Sequence, residues 1–255
     1  MDLELTGRAY LITGGTDGLG LALAQRLVEE GANVAVCGRD GDRLAHAQEH
    51  LGGDAVCFEA DVTRSIELDG FVDTALARFG RLDGAVNNAG RLAGAPVASS
   101  DDDAWRADYE LKVIAALHVA RRVLPALEAS GGAILNVLAI LARTPHAGSG
   151  PTSASRAAGL ALTKALANEV GPRGIRVNAI LIGLIESGQW ERRARDADVS
   201  LEDFYSTLAE GARIPLGRIG RASEFADLAS FLLSPRASYV TGVGVSIDGG
   251  LSPVI

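Results

Sequence analysis

Aromatic side chains are scarce in this sequence: two tryptophans, four tyrosines and six phenylalanines make up 5% of 255 residues. Cysteine is scarcer, with only Cys37 and Cys57, each inside an apolar run of strand length. That excludes a disulfide framework or a cysteine-built metal site and leaves two buried small hydrophobes. Histidines are few as well. His46 and His50 stand four apart on an expected helix with no acidic or cysteine partner evident, so they are read as surface residues and no metal site is expected. Positive charge is short too: 24 Lys and Arg oppose 32 Asp and Glu, a formal net charge of −8. A nucleic-acid surface needs a clustered basic face that is missing here. The densest basic group, Arg192 to Arg195, is followed by acids and reads as a solvated helix face. No uninterrupted apolar run approaches membrane-spanning length. The opening residues Met1 to Leu5 carry two acids and no apolar core of the signal-peptide kind, so a cytoplasmic location is expected.

What is present is alternation. Strand-length apolar runs recur at residues 9–12, 34–37, 55–58, 82–86, 133–138, 175–181 and 243–247. Between most of them, residues 19–29, 43–50, 66–79, 104–127 and 155–170 place apolar side chains three and four apart, as amphipathic helices do. Strands alternating with such helices imply α/β architecture: one doubly wound parallel sheet of the Rossmann type with helices on both faces. With 47% hydrophobic residues the chain can bury one substantial core, and a single domain over residues 1–255 is expected. Ser99-Ser100-Asp101 signals a helix start and Gly171-Pro172 a helix end. Asp101, Asp102 and Asp103 then compensate a helix dipole. Residues 186–211 interrupt the alternation with mixed charge around Trp190, Phe204 and Tyr205, and are expected to form a lid.

After the first strand comes Thr13-Gly14-Gly15-Thr16-Asp17-Gly18-Leu19-Gly20, followed at once by a helix. Glycines there allow a tight turn and close approach of the backbone to a pyrophosphate, which the amides at the helix start attract. With this turn, Asp61-Val62 after the third strand, Asn87-Asn88-Ala89-Gly90 after the fourth and Arg176-Val177-Asn178-Ala179 in the sixth, the chain resembles the short-chain dehydrogenase/reductase family along essentially its whole length. Tyr239-Val240-Thr241-Gly242 and Asp248-Gly249-Gly250 resemble that family's closing segment. The resemblance implies a bound nicotinamide dinucleotide, with its pyrophosphate at Gly14, Thr16, Asp17, Gly18, Leu19 and Gly20. It implies Asp61 and Val62 at the adenine, and Asn88, Ala89 and Gly90 beside the ribose. Gly183, Ile185 and Ser187 would meet the carboxamide and phosphate.

Relatives that prefer NAD usually carry an acid at the end of the second strand. Here Gly38 stands there and Arg39 follows. A guanidinium can grip a 2′-phosphate with paired charge-assisted hydrogen bonds, so NADP is the expected cofactor, with NAD as the alternative.

At the chemical end the resemblance implies a serine, a tyrosine, a lysine and an asparagine, the tyrosine being the acid or base. In this sequence Thr152 stands at the tyrosine, Arg156 at the lysine, Ala139 at the serine and Lys112 at the asparagine. A threonine hydroxyl is no practical proton donor near neutral pH. Arg156 can still reach ribose hydroxyls. The candidates for the proton are Lys112, should it point inward, and His146 in the loop after the fifth strand. Tyr109 and Tyr205 are the remaining ones. Three readings stand: an NADP-dependent oxidoreductase of a hydroxyl or carbonyl compound with a rearranged donor, an NADP-binding partner without turnover, and a non-redox enzyme on the same fold. The small residues Ala157, Ala158, Gly159, Ala161 and Ala165 offer a surface for a homo-dimer or homo-tetramer or, alternatively, for packing on the chain's own sheet.

Overall fold

The computed structural model describes residues 2–255 and bears out the expected class. Seven parallel strands lie in the order β3-β2-β1-β4-β5-β6-β7. They are β1 (Ala9–Thr13), β2 (Asn33–Gly38), β3 (Val56–Glu59), β4 (Gly84–Asn87), β5 (Ala133–Ala139), β6 (Arg176–Ile182) and β7 (Gly244–Ile247). The order reverses at β1, so β1 pairs with β2 on one side and β4 on the other. That reversal opens a crevice at the carboxyl ends of the strands, where such sheets bind ligands.

Helices cover both faces because alternate strand residues are apolar on both. One core joins Leu11, Ala35 and Ile134 to Phe71 and Val72 of α3 (Ser65–Phe79) and to Val119 and Val123 of α5 (Ala115–Ser130). The other joins Tyr10, Ile12 and Val34 to Leu23 and Leu27 of α1 (Gly18–Glu29) and to Phe225 and Ala229 of α9 (Ala222–Leu233). Cys37 is fully buried, and burial pushes its thiol up to about 12; Cys57, on the edge strand, is only half-buried. Arg176, from a motif of the resemblance, is structural. Its guanidinium donates to the carbonyls of Leu232, Leu233 and Ser234 at 2.7, 3.2 and 2.9 Å, closing the carboxyl end of α9.

Three expectations about elements change. The helix expected over residues 104–127 is not continuous: α4 (Asp102–Tyr109) passes into a π-helical turn, Glu110–Ile114, before α5 begins. The helix expected from residue 155 starts earlier, so that α6 spans Gly150–Val170 with Pro151 in its first turn, where a missing N–H costs nothing. Residues 186–211 are themselves mostly helical, forming α7 (Gly188–Asp196) and α8 (Leu201–Ala212). The helix α2 (Gly41–Leu51) agrees with the expected span within two residues.

Candidate active site

The strand ends open on one cleft of about 1370 Å³. At its nucleotide end the chain must approach itself closely. Thr13 Oγ1 accepts from the backbone N–H groups of Asn88 and Ala89, both at 3.1 Å. The Asn88 amide donates to the carbonyls of Thr13 and Gly14 at 3.0 and 2.8 Å, pinning the glycine turn to the end of β4. Gly14 has φ +63°, and a Cβ there would stand 2.9 Å from Ala89 Cα. At Gly20 a Cβ would stand 2.3 Å from the Gly14 carbonyl oxygen. Gly20 therefore serves packing behind the turn and does not line the cleft, whereas Gly14, Thr16, Asp17, Gly18 and Leu19 do.

Asp17 caps α1, accepting from the Gly18 N–H at 2.7 Å. Its carboxylate is also held by two arginines that sequence reasoning missed, Arg43 of α2 at 3.4 Å and Arg192 of α7 at 3.6 Å. These offset an acid that would otherwise repel a phosphate at the helix start. A Cβ at Gly38 would stand 2.7 Å from Thr16 Oγ1, so β2 ends in glycine and Arg39 is the first side chain beyond it. Arg39 is exposed and lies 3.4 Å from Asp61. Burial raises the Asp61 carboxyl, yet two hydrogen bonds from Thr63 and the Arg39 guanidinium hold it below its ordinary value. Val62, Ala89, Gly90, Gly183, Ile185 and Ser187 also line the cleft, so the expected nucleotide residues, Gly20 apart, share one surface.

At the chemical end, the π turn gives the backbone one extra residue and turns Lys112 inward until it is only 8% exposed. It is one of two lysines in the sequence. Its ammonium stands 2.7 and 2.9 Å from the two oxygens of Asp108 and donates to Thr152 Oγ1 at 2.9 Å. Ser155 Oγ donates to Asp108 Oδ2 at 2.6 Å, so the carboxylate is held from both helices. Burial, and next the Arg156 guanidinium, bring Lys112 down to about 8 against the opposing pull of Asp108. Lys112 and Arg156 line the cleft; Asp108, Thr152 and Ser155 are buried behind them. Thr152, counted among the candidate catalytic residues, thus positions Lys112 instead of facing a ligand.

Arg156 donates one long bond, 3.4 Å to the Val137 carbonyl, and its Nε has no partner. Burial lowers its pKa from the ordinary arginine value. His146 lines the rim of the cleft but is exposed, with Nδ1 2.8 Å from the Ala147 carbonyl oxygen and no bond to the Lys112 cluster. Neither Tyr109 nor Tyr205 lines the cleft. Tyr205 instead borders a separate small hollow with Glu186, and burial raises its phenol. Asp108 and Ser155 were not expected; the signals that point to them are the spacing of four from Asp108 to Lys112 and of three from Thr152 to Ser155.

A family profile described as enoyl-(acyl carrier protein) reductase matches residues 14–252. The chain belongs to the short-chain dehydrogenase/reductase family. Among its relatives in that family, 3-oxoacyl-(acyl-carrier-protein) reductase FabG of Thermotoga maritima is 32% identical over 256 residues, 98% of this chain and 99% of the relative. An NADPH-bound short-chain oxidoreductase of Pseudomonas aeruginosa PAO1 containing an atypical catalytic center is 38% identical, with a TM-score of 0.91 over 97% of this chain and 98% of that one. L-sorbose reductase of Gluconobacter frateurii, solved with NADPH and L-sorbose, is 31% identical with a TM-score of 0.93, both chains covered completely. Short-chain dehydrogenase/reductase relatives of this chain are thus oxidoreductases, and two of these structures hold NADPH. Among the described residues no helix is long and apolar enough to cross a membrane.

Proposed function

We propose that this chain is an NADP-dependent oxidoreductase interconverting a carbonyl and a hydroxyl compound, with Lys112 as the proton donor. The observation that carries the reading is the Lys112 ammonium on the cleft wall, held from behind by Asp108 and Thr152.

The nucleotide end fits the dinucleotide. The start of α1 lines the cleft at Gly18 and Leu19, with the Gly18 amide capped by Asp17, and Gly14 and Gly38 keep side chains out of the turn. Arg39 and Arg43 are placed to take a 2′-phosphate, and Arg156 to meet the nicotinamide ribose. When bound, the cofactor supplies or accepts the hydride. The chain's own work is with the oxygen. An ammonium has three N–H bonds; Asp108 and Thr152 engage two, leaving the third for a substrate oxygen. In reduction Lys112 would give that proton to the oxygen of the carbonyl that accepts the hydride. Lys112 is left as the amine and regains a proton from water entering the open cleft. Arg156 and Lys112 together stabilise negative charge growing on the oxygen.

One observation favours binding without turnover: Thr152 is fully buried and, with Ala139, leaves the tyrosine and serine positions without a donor on the cleft. One experiment separates the two readings. Full-length protein is titrated with NADPH by fluorescence, and NADPH oxidation is followed against a panel of aldehydes and ketones. Turnover by the wild type, with Lys112→Met binding NADPH normally but losing about a hundredfold to ten-thousandfold in kcat, is expected. Tight binding with no turnover on any compound supports the binding protein. The same reading takes the chain as a homo-oligomer: Ala157, Ala161 and Ala165 form an exposed face of small residues on α6, while Gly159 packs on the chain's own sheet against Leu138.

A further inference from the structure

The chemical end of the cleft carries a charge that the proposed cofactor does not neutralise. Lys112 and Arg156 bring two cations to its wall, and Asp108 is the carboxylate at that cluster. Asp108 Oδ2 accepts from both Lys112 and Ser155, and its Oδ1, 2.7 Å from the ammonium, makes the ion pair without a hydrogen bond of its own. Arg156 is left with one long bond to a neutral carbonyl and an unpartnered Nε, and no carboxylate among the described residues pairs with it. Asp17 and Asp61, which also line the cleft, belong to its nucleotide end and are paired with Arg43, Arg192 and Arg39. Glu110 lines it too but is exposed to water. Arg91, a further cation on the lining, adds to the positive field that acts on Lys112.

Arg156 is half-buried, and a guanidinium partly withdrawn from water without an anion carries a cost that a neutral group filling its donors does not remove. A ribose diol accepts at most two of five N–H bonds and brings no charge. The dinucleotide's phosphates belong at the other end, beside the glycine turn. The remaining positive charge is therefore left for the substrate. Leu138, Ile140, Leu184 and Trp190 contribute apolar surface to the same cleft, and apolar surroundings strengthen an ion pair.

Resting on the oxidoreductase reading of this site, we propose that the substrate is an oxo acid, whose carboxylate pairs with Arg156 while its carbonyl oxygen faces Lys112. The reaction it implies is reduction of the oxo acid to the hydroxy acid, the hydride going to the carbonyl carbon and the Lys112 proton to the oxygen. The carboxylate is unchanged and serves to orient the carbonyl.

The test uses matched pairs, so that only charge differs: pyruvate, phenylpyruvate, acetoacetate and levulinate, each against its own primary amide, with NADPH and full-length protein. A charge-assisted bond exceeds a neutral one by about 1.4 kcal/mol, so at least one acid is expected to exceed its amide about tenfold in kcat/KM. Arg156→Gln is expected to bring that ratio near unity, and Arg156→Lys to keep it. Turnover in which no acid outperforms its amide overturns the proposal and leaves the oxidoreductase reading standing, with the two cations acting only on a developing oxyanion. Turnover of aldehydes or ketones with none of these acids turned over also overturns the proposal; if nothing is turned over in either panel, the oxidoreductase reading fails, and binding decides only whether Arg156 is an anion site. Lactate and phenyllactate are then titrated against their amides on the NADPH-loaded protein: a tenfold preference for either acid supports the anion site, and its absence overturns it.

Discussion

Lys112 is asked to be an acid, and its neighbours decide at what pH it can be one. Burial and Arg156 lower it to about 8, while Asp108 resists. Reduction needs the ammonium, so kcat/KM for NADPH-dependent reduction is expected to hold below that pH and fall as pH rises through it. Asp108→Asn removes the group that raises Lys112 while keeping its shape. The ammonium then loses its proton more readily, and the fall in kcat/KM moves to lower pH. A pH profile that keeps its midpoint in Asp108→Asn would show that the carboxylate only braces the helix. This cluster was half legible in the sequence. The missing tyrosine, lysine and serine could be read from the run around Thr152, and Lys112 from its place before Leu124-Pro125. Asp108 and Ser155 had only their spacing from Lys112 and Thr152 to mark them, a signal shared by many polar residues that face water.

Among elements, the π turn does the most to make the site. An α-helix repeats every 3.6 residues, so one inserted residue turns the residues before it by about 100° relative to those after it. Apolar spacing over residues 104–127 could not reveal this, since a single insertion leaves stretches of three-and-four spacing on either side. Ile114, at the end of the turn, is 46% exposed, so removing it takes little from the core. Deleting Ile114 is expected to restore continuous α-helix and swing Lys112 off the Thr152 hydroxyl. Turnover should then drop as far as in Lys112→Met, while NADPH affinity and the far-ultraviolet dichroism stay near wild type. Normal turnover in the deletion would show that the π turn is not what aims Lys112. The stretch 186–211 was legible as an interruption and not as two helices. Its α7 has only Trp190 and the buried Ala194, four apart, for an apolar stripe, too short a signal among arginines and acids to mark a helix. Contacts outside the helix hold it: Trp190, with Arg193 of the same helix 4.8 Å over its ring, stands 6.3 Å from Phe204 of α8, and Arg192 reaches Asp17 at 3.6 Å. The sheet was easier to read, since its core strands are near-continuous apolar runs bounded by glycine and asparagine.

At the scale of the whole molecule, the proposed function asks a chain of net charge −8 to bind an anionic dinucleotide. Cations are gathered where the strands end: Arg39, Arg43, Arg91, Lys112, Arg156 and Arg192 all line the one cleft. Arg39 and Arg43 are exposed, and their present partners are loose, at 3.4 Å to Asp61 for the first and 3.4 and 3.8 Å to Asp17 and Asp40 for the second. Exposed pairs of this kind are worth about 0–1 kcal/mol, so redirecting both arginines to a 2′-phosphate costs little. Each charge-assisted bond so gained is worth about 1.5–3 kcal/mol. NADH has no 2′-phosphate and gains neither. Saturating NADPH, at about a hundred times its Kd, stabilises the fold by about 2.7 kcal/mol, which for a chain of this size raises Tm by roughly 5–10 °C. At the same concentration NADH is expected to raise Tm only slightly in the wild type. Replacing both Arg39 and Arg43 with alanine should weaken NADPH about a hundredfold, whereas NADH, which loses only the offset that Arg43 gives to Asp17, should weaken much less, so that the two Tm shifts converge. Equal shifts for the two cofactors in the wild type, or an unaltered NADPH shift in the double variant, would place the preference elsewhere than at the end of β2.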